Sequence, residues 1–183
     1  MKKIYEMVDG IPLYKHLKNG SVENEMILGE QDYGKFAEFL GKKKINYLVK
    51  KGEILQEIYP GICFTSINKI MSKRKTAYGV QIGDTSYELS YKNGDGYGKK
   101  IIVFEIKYGI SHIKQYQIRR YCDMIDKPGE YFPKADEVKV IYLFFSKIDT
   151  TNRLASYQIC ELDKELANKI LQTEEQREIK MSI

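Results

Sequence analysis

Two carboxylates and a lysine stand at the ends of two neighbouring predicted strands. Asp84 precedes a stretch of alternating polar and apolar residues, and Glu105 and Lys107 end an apolar run. A hard divalent cation prefers oxygen ligands, which Asp84, Glu105 and the carbonyl group of Ile106 could supply. Such an ion lowers the pKa of a bound water and neutralises charge on a phosphate, while Lys107 could orient the resulting hydroxide or stabilise developing charge. These residue types therefore suit metal-dependent cleavage of a phosphodiester bond.

The strands that carry these residues are predicted to form one β-hairpin. Asn93 to Gly96 is a turn sequence, and three two-residue turns fit it. The three turns pair Asp84 with Val103, Glu105 or Lys107. Opposed residues of antiparallel strands share a face and side chains alternate with a period of two, so each register places Asp84 on the face of Glu105 and Lys107. The central register brings the two carboxylates side by side.

Two helices are predicted before the hairpin and one after it. An apolar stripe at helical spacing stops at Gly41, and a second helix is predicted over Ile45 to Ile58, which includes Glu57. After the hairpin, a helix is predicted from Ser111 to about Ile125. Apolar runs then predict two further strands and a last helix that opens near Asp163.

The helix after the hairpin carries residues suited to nucleic-acid contacts. Gln117 and Tyr121 are four residues apart and are therefore neighbours on the helix surface. Lys114 and Arg120 add positive charge to the same helix, which suits contacts with a phosphate backbone.

Composition sets the broad class of protein. A chain of 183 residues with 43% hydrophobic residues fits a single folded domain over residues 1–183. Its net charge of +5 and pI near 8.9 favour a polyanionic partner. Residues 1–30 lack a sustained period and predict short strands or an extended N-terminal arm. Neither a signal peptide nor a membrane-spanning run is predicted, so we expect an intracellular, cytoplasmic protein that has no membrane partner.

The motifs together resemble the PD-(D/E)xK nuclease superfamily. Gly83-Asp84 stands in the place of the first acidic motif of that family, without the proline that usually precedes the acid, and Glu105-Ile106-Lys107 matches the second. Gln117-x-x-x-Tyr121 is similar to the Q-x-x-x-Y motif of the RecB-like branch. Gly52 to Glu57 resembles the helical motif that precedes the first acidic strand in that branch. The resemblance implies a restriction-endonuclease-like α/β core, in which helices flank a mixed central sheet.

The same resemblance implies a DNA nuclease, exonuclease or endonuclease, that depends on Mg²⁺ or Mn²⁺. The roles it implies are metal binding by Asp84, Glu105, the Ile106 carbonyl and Glu57, catalytic assistance by Lys107, and DNA positioning by Gln117 and Tyr121. Three other readings stay open. The chain could resemble Holliday-junction resolvases, which share the core and act as homodimers. It could be a DNA-binding module that cleaves nothing. It could also be a structural protein that binds no nucleic acid.

Overall fold

A computed structural model describes residues 1–10, 30–70, 83–109, 113–149 and 154–181 of the chain. Within these ranges, the chain forms six strands and five helices. The strands are β1 (Lys2–Gly10), β2 (Phe64–Ile70), β3 (Thr85–Asn93), β4 (Gly96–Tyr108), β5 (Glu137–Asp149) and β6 (Leu154–Glu161). The helices are α1 (Glu30–Lys51), α2 (Glu53–Ile58), α3 (Gln115–Asp126), α4 (Pro128–Tyr131) and α5 (Lys164–Met181).

The six strands form one mixed sheet in the order β1-β6-β5-β4-β3-β2. Strands β4 and β5 run parallel, and the other neighbouring pairs are antiparallel. A parallel pair needs a crossover connection, and α3 lies in the segment that supplies it. The predicted mixed sheet is therefore confirmed.

Helices cover both faces of this sheet. Apolar side chains of one face pack against α1 and α2, and those of the other face pack against α3 and α5. Strands β4 and β5 are buried on both faces, which explains their nearly continuous apolar sequence. The protein is thus an α/β fold in which two layers of helices flank the sheet, as the sequence predicts.

The first residues of the chain belong to this sheet. Lys2–Gly10 forms the edge strand β1 and pairs antiparallel with β6, from Lys2 opposite Glu161 to Gly10 opposite Leu154. The first part of the predicted arm is therefore a strand, and residues 11–29 of it lie outside the described residues.

The predicted helix end at Gly41 is wrong. Helix α1 continues through Gly41 to Lys51, and the chain breaks instead at Gly52, which has a φ of 78°. Gly41 is in the helix because α1 crosses very close to β4 there. A Cβ atom at this position would lie 2.7 Å from Cγ2 of Ile106. Glycine at this position therefore allows close helix packing, whereas Gly52 provides the left-handed conformation that ends the helix.

Candidate active site

The hairpin has the central register of the three that the turn sequence allows. Asn93 pairs with Gly96 and Thr85 pairs with Phe104, which sets Asp84 opposite Glu105. Gly94 has a φ of 57° whereas Asp95 does not have a positive φ, which matches the signs of φ in a type II′ turn. The turn at one end of the hairpin therefore aligns the two carboxylates at the other end.

Asp84 is held against β4 by its own backbone and side chain. Its N–H donates to the Phe104 carbonyl at 2.9 Å, and its Oδ2 accepts from the Ile106 N–H at 2.7 Å. Gly83, the residue before it, has a φ of 55°, and a Cβ there would lie 2.6 Å from Val103 Cγ1. Glycine is therefore required where the chain comes close to β4 and enters the site.

Glu105 is a buried carboxylate with three side-chain donors. Only 3% of the surface of Glu105 is exposed to solvent. Oε1 accepts from Gln117 Nε2 at 2.6 Å and lies 2.5 Å from Lys107 Nζ, while Oε2 accepts from the Tyr121 hydroxyl at 2.5 Å. A buried charge is stable only when it is paired and hydrogen-bonded, and these donors meet that requirement. The E-x-K motif and the Q-x-x-x-Y motif therefore meet at one carboxyl group.

The environment of Asp84 disfavours its ionised form. Burial raises the pKa of Asp84 to about 6, and repulsion from Glu105 adds to this effect, while the Ile106 N–H and Lys107 act in the opposite direction. Two carboxylates thus share one ammonium group, that of Lys107. Such a pair gains from any further positive charge that enters the site.

Tyr121 is buried beside Glu105. Its side chain is 0% exposed and its hydroxyl is directed at Glu105, and its part in positioning DNA stays a prediction. Burial raises the pKa of Tyr121, and so does the adjacent Glu105 charge, so the hydroxyl remains a hydrogen-bond donor. Tyr121, together with Gln117, therefore orients the carboxylate from α3.

A cavity of about 250 Å³ opens beside the carboxylate pair. It is lined by Gly83, Asp84, Glu105, Tyr116, Gln117, Arg120 and Tyr121. Arg120 thus lies at the cavity, whereas Lys114 is exposed at the N-cap of α3 and does not line the cavity. Tyr116 was not predicted to belong to the site, since an exposed tyrosine carries no signal of its own in the sequence.

Glu57 lies away from the carboxylate pair. It is exposed on α2, and its charge acts on Tyr5 of the edge strand β1. The carbonyl group of Ile58, the next residue, accepts a hydrogen bond from Lys139 near the start of β5. Glu105 lies opposite Tyr142, which is further along the same strand. The charge that reaches Asp84 from a helix is that of Glu38 and not that of Glu57, so the metal role of Glu57 stays a prediction.

The helical carboxylate near the site is Glu38 of α1. Its charge contributes to the raised pKa of Asp84, although less than burial and Glu105 do. Glu38 also accepts a hydrogen bond from Lys42, one helical turn further on. Glu38 was not predicted to belong to the site, and the packing of α1 over β4 brings its charge near Asp84.

The described part of the chain contains no group of three or more histidine, cysteine, aspartate or glutamate side chains that could hold a metal ion. Any ion at this site would therefore depend on Asp84, Glu105 and backbone oxygens.

Among the helices of the described ranges, none has both the length and the apolar character of a membrane span.

Comparison of the chain with protein-family models, curated proteins and solved structures finds no match. The functional argument therefore depends on the geometry of the site.

Proposed function

We propose that this protein is a metal-dependent nuclease that hydrolyses phosphodiester bonds in DNA and has a restriction-endonuclease-like core. The observation that carries this proposal is the pairing of Asp84 with Glu105 at the open end of the hairpin, with Lys107 bound to Glu105. Two carboxylates and a lysine on one face of a strand pair suit metal-assisted phosphodiester cleavage, since the carboxylates can hold the ion and the lysine can stabilise developing charge.

The oxygen atoms of the site suit one hard divalent ion such as Mg²⁺ or Mn²⁺. Among the described residues, the Ile106 N–H is the hydrogen-bond donor to Asp84 and uses Oδ2, so Oδ1 is available. Glu105 Oε2 accepts only from Tyr121 within the same ranges, and a carboxylate oxygen can accept two bonds. The Ile106 carbonyl faces the same side as its N–H, because both groups of a strand residue address the same neighbouring strand.

A bound ion would lower the pKa of a water molecule and neutralise phosphate charge. The protein groups have separate tasks. Asp84 and Glu105 would hold the ion, and Gln117 and Tyr121 keep the Glu105 carboxylate in one orientation. Lys107 is 21% exposed at its side chain and 2.5 Å from Glu105, so its ammonium group can also reach a phosphate oxygen and stabilise charge that develops there.

Positive charge around the cavity suits a polyanionic substrate. Arg120 lines the cavity, Lys114 is exposed at the start of the same helix, and the net charge of the chain is +5. Contacts of this kind with phosphates supply affinity without reading sequence, and they weaken as salt is added. We therefore expect DNA binding that falls with ionic strength.

A second function is favoured by one feature of the site. Three protein donors already bind the Glu105 carboxylate, and an ion would have to bind beside them. A DNA-binding module that keeps the fold without cleaving DNA would have the same hydrogen bonds. That module would show salt-dependent DNA affinity and no cleavage.

The deciding experiment is cleavage of end-labelled single-stranded, duplex and four-way-junction DNA with Mg²⁺ or Mn²⁺, and with EDTA as the metal-free control. The wild type should cut at least one substrate, and Asp84→Asn or Lys107→Ala should slow cutting by at least about 100-fold. Lys99→Ala is the matched control, since Lys99 pairs with Glu88 at 3.1 Å on the same hairpin, away from the site. A wild type that cuts nothing, or variants that cut as fast as it does, would refute the nuclease.

A further inference from the structure

The cavity combines three features that a nucleotide would need. It is lined by the carboxylate pair of Asp84 and Glu105 and by Tyr116 and Arg120 of α3. Tyr116 and Arg120 are four residues apart and are therefore neighbours on the helix surface. The cavity lining thus places an aromatic ring beside a guanidinium group.

Tyr116 has an exposed ring that the fold does not use for packing. It is 64% exposed, whereas Tyr121 on the same helix is 0% exposed. An aromatic ring at the rim of a polar cavity can stack on a nucleobase, and stacking of this kind tolerates any base. A base in duplex DNA is already stacked on its neighbours and is not available to such a ring.

Arg120 has hydrogen-bonding capacity that the fold leaves unused. Its Nε is buried and has no hydrogen-bond partner among the described residues, and its guanidinium carbon lies 5.4 Å from the centre of the Tyr121 ring. Arg120 is half-buried and lines the cavity, so its terminal guanidinium nitrogens, rather than the buried Nε, are the donors that a phosphate oxygen in the cavity would meet. The N-terminus of α3, which begins at Gln115, adds partial positive charge nearby.

The cavity and the Tyr116 ring suit different parts of one nucleotide. A water molecule occupies about 30 Å³ of liquid, so about 250 Å³ has room for a phosphate group with a few waters. The Tyr116 ring is exposed at the same cavity and can stack on the base that adjoins this phosphate. Because a base in a duplex is already stacked on its neighbours, this arrangement favours a strand whose base at the site is unpaired.

We infer that the cavity recognises an unpaired nucleotide, with Tyr116 stacking on its base and Arg120 binding its phosphate. The substrate class is then single-stranded nucleic acid, or a duplex with an unpaired end or flap. This inference concerns the substrate of the proposed nuclease site, although binding of the nucleotide does not require cleavage.

The test compares Tyr116→Ala with Tyr116→Phe, which keeps the ring. Tyr97→Ala is the matched control, because Tyr97 is 78% exposed next to the hairpin turn, at the other end of β4. Binding of a fluorescent single-stranded DNA 12-mer and of its duplex is measured by anisotropy with EDTA, so that metal-dependent cleavage cannot occur. An RNA 12-mer of the same sequence shows whether the sugar matters.

Wild type should bind the single strand more tightly than the duplex. Tyr116→Ala should weaken single-strand binding by about 5- to 150-fold and leave duplex binding unchanged, while Tyr116→Phe and Tyr97→Ala should bind as wild type does. Equal effects of Tyr116→Ala on both DNAs, no effect on either, a loss in Tyr116→Phe, or no binding by the wild type would overturn the inference.

Cleavage of the same DNAs with Mn²⁺ separates the two proposals. A protein that binds single strands through Tyr116 and cuts nothing would retain the inference and refute the nuclease. A protein that cuts single strand and duplex equally well, with or without the Tyr116 ring, would retain the nuclease and refute the inference.

Discussion

Replacing Tyr121 by phenylalanine removes one oxygen atom from the buried centre of the site. The Tyr121 hydroxyl donates to Glu105 Oε2 at 2.5 Å, and the side chain is 0% exposed. A hydrogen bond to a charged group contributes about 1.5–3 kcal/mol to stability, and its loss leaves a buried acceptor without this donor. We expect Tyr121→Phe to lower the free energy of unfolding by about 1.5–3 kcal/mol, and the melting temperature by roughly 2–4 °C for each kcal/mol.

Tyr142 provides an unusually close control. Its ring centre lies 6.3 Å from that of Tyr121, and it too is 0% exposed, but its hydroxyl has no hydrogen-bond partner in the described part of the chain. Removing an unsatisfied buried hydroxyl is nearly neutral or stabilising. Tyr142→Phe should therefore leave stability unchanged or raise it by about 1 kcal/mol.

The assay is urea unfolding at pH 7.5, followed by circular dichroism, for wild type and both variants. The unfolding midpoints report stability when the dependence of the free energy on urea is the same for all three proteins. Equal losses in Tyr121→Phe and Tyr142→Phe would show that lost packing, and not the hydrogen bond to Glu105, explains the effect. No loss in Tyr121→Phe would refute the argument that the hydroxyl stabilises the carboxylate.

Two further predictions concern charge and packing. The pKa of Asp84 is raised from 3.8 to about 6, so the folded protein holds this proton more tightly than the unfolded chain does. The contribution of the protonated carboxyl to the free energy of unfolding is therefore fully present below pH 4 and is lost as pH rises through 6. Asp84→Asn should therefore be more stable than wild type by about 1–3 kcal/mol at pH 7.5 and not at pH 4. Urea unfolding at both pH values measures this, and no gain at pH 7.5 would contradict it. Gly41→Ala should destabilise by about 1–3 kcal/mol because its Cβ would lie 2.7 Å from Ile106, whereas Gly34→Ala in the same helix meets nothing within 4 Å and should stabilise by up to about 1 kcal/mol. Thermal unfolding of both variants measures this, and a stabilised Gly41→Ala would contradict the close contact.

Much of the hairpin could be predicted because its information is local. Alternation with a period of two sets which side chains share a face, so Asp84 and Glu105 were expected on one face before the register was known. The turn sequence allowed three registers, and the structure has the central one. The helical spacing of Gln117 and Tyr121 likewise placed them on one side of α3.

The helix boundaries could not be predicted from local sequence alone. A glycine ends a helix when it adopts a positive φ, as Gly52 does, but it continues a helix when another element packs closely on it, as Ile106 does on Gly41. Residues 41 and 106 are far apart in the sequence, so no local pattern distinguishes the two glycines.

The sequence by itself determined the class of fold, the hairpin and the common face of Asp84, Glu105 and Lys107, because propensity and side-chain period are properties of short segments. The tertiary structure decided which helices reach that face. It brought Glu38 rather than Glu57 towards Asp84, and it directed Tyr121 inward and Tyr116 outward. These outcomes depend on how helices pack across the sheet, which is decided by contacts between residues distant in the chain.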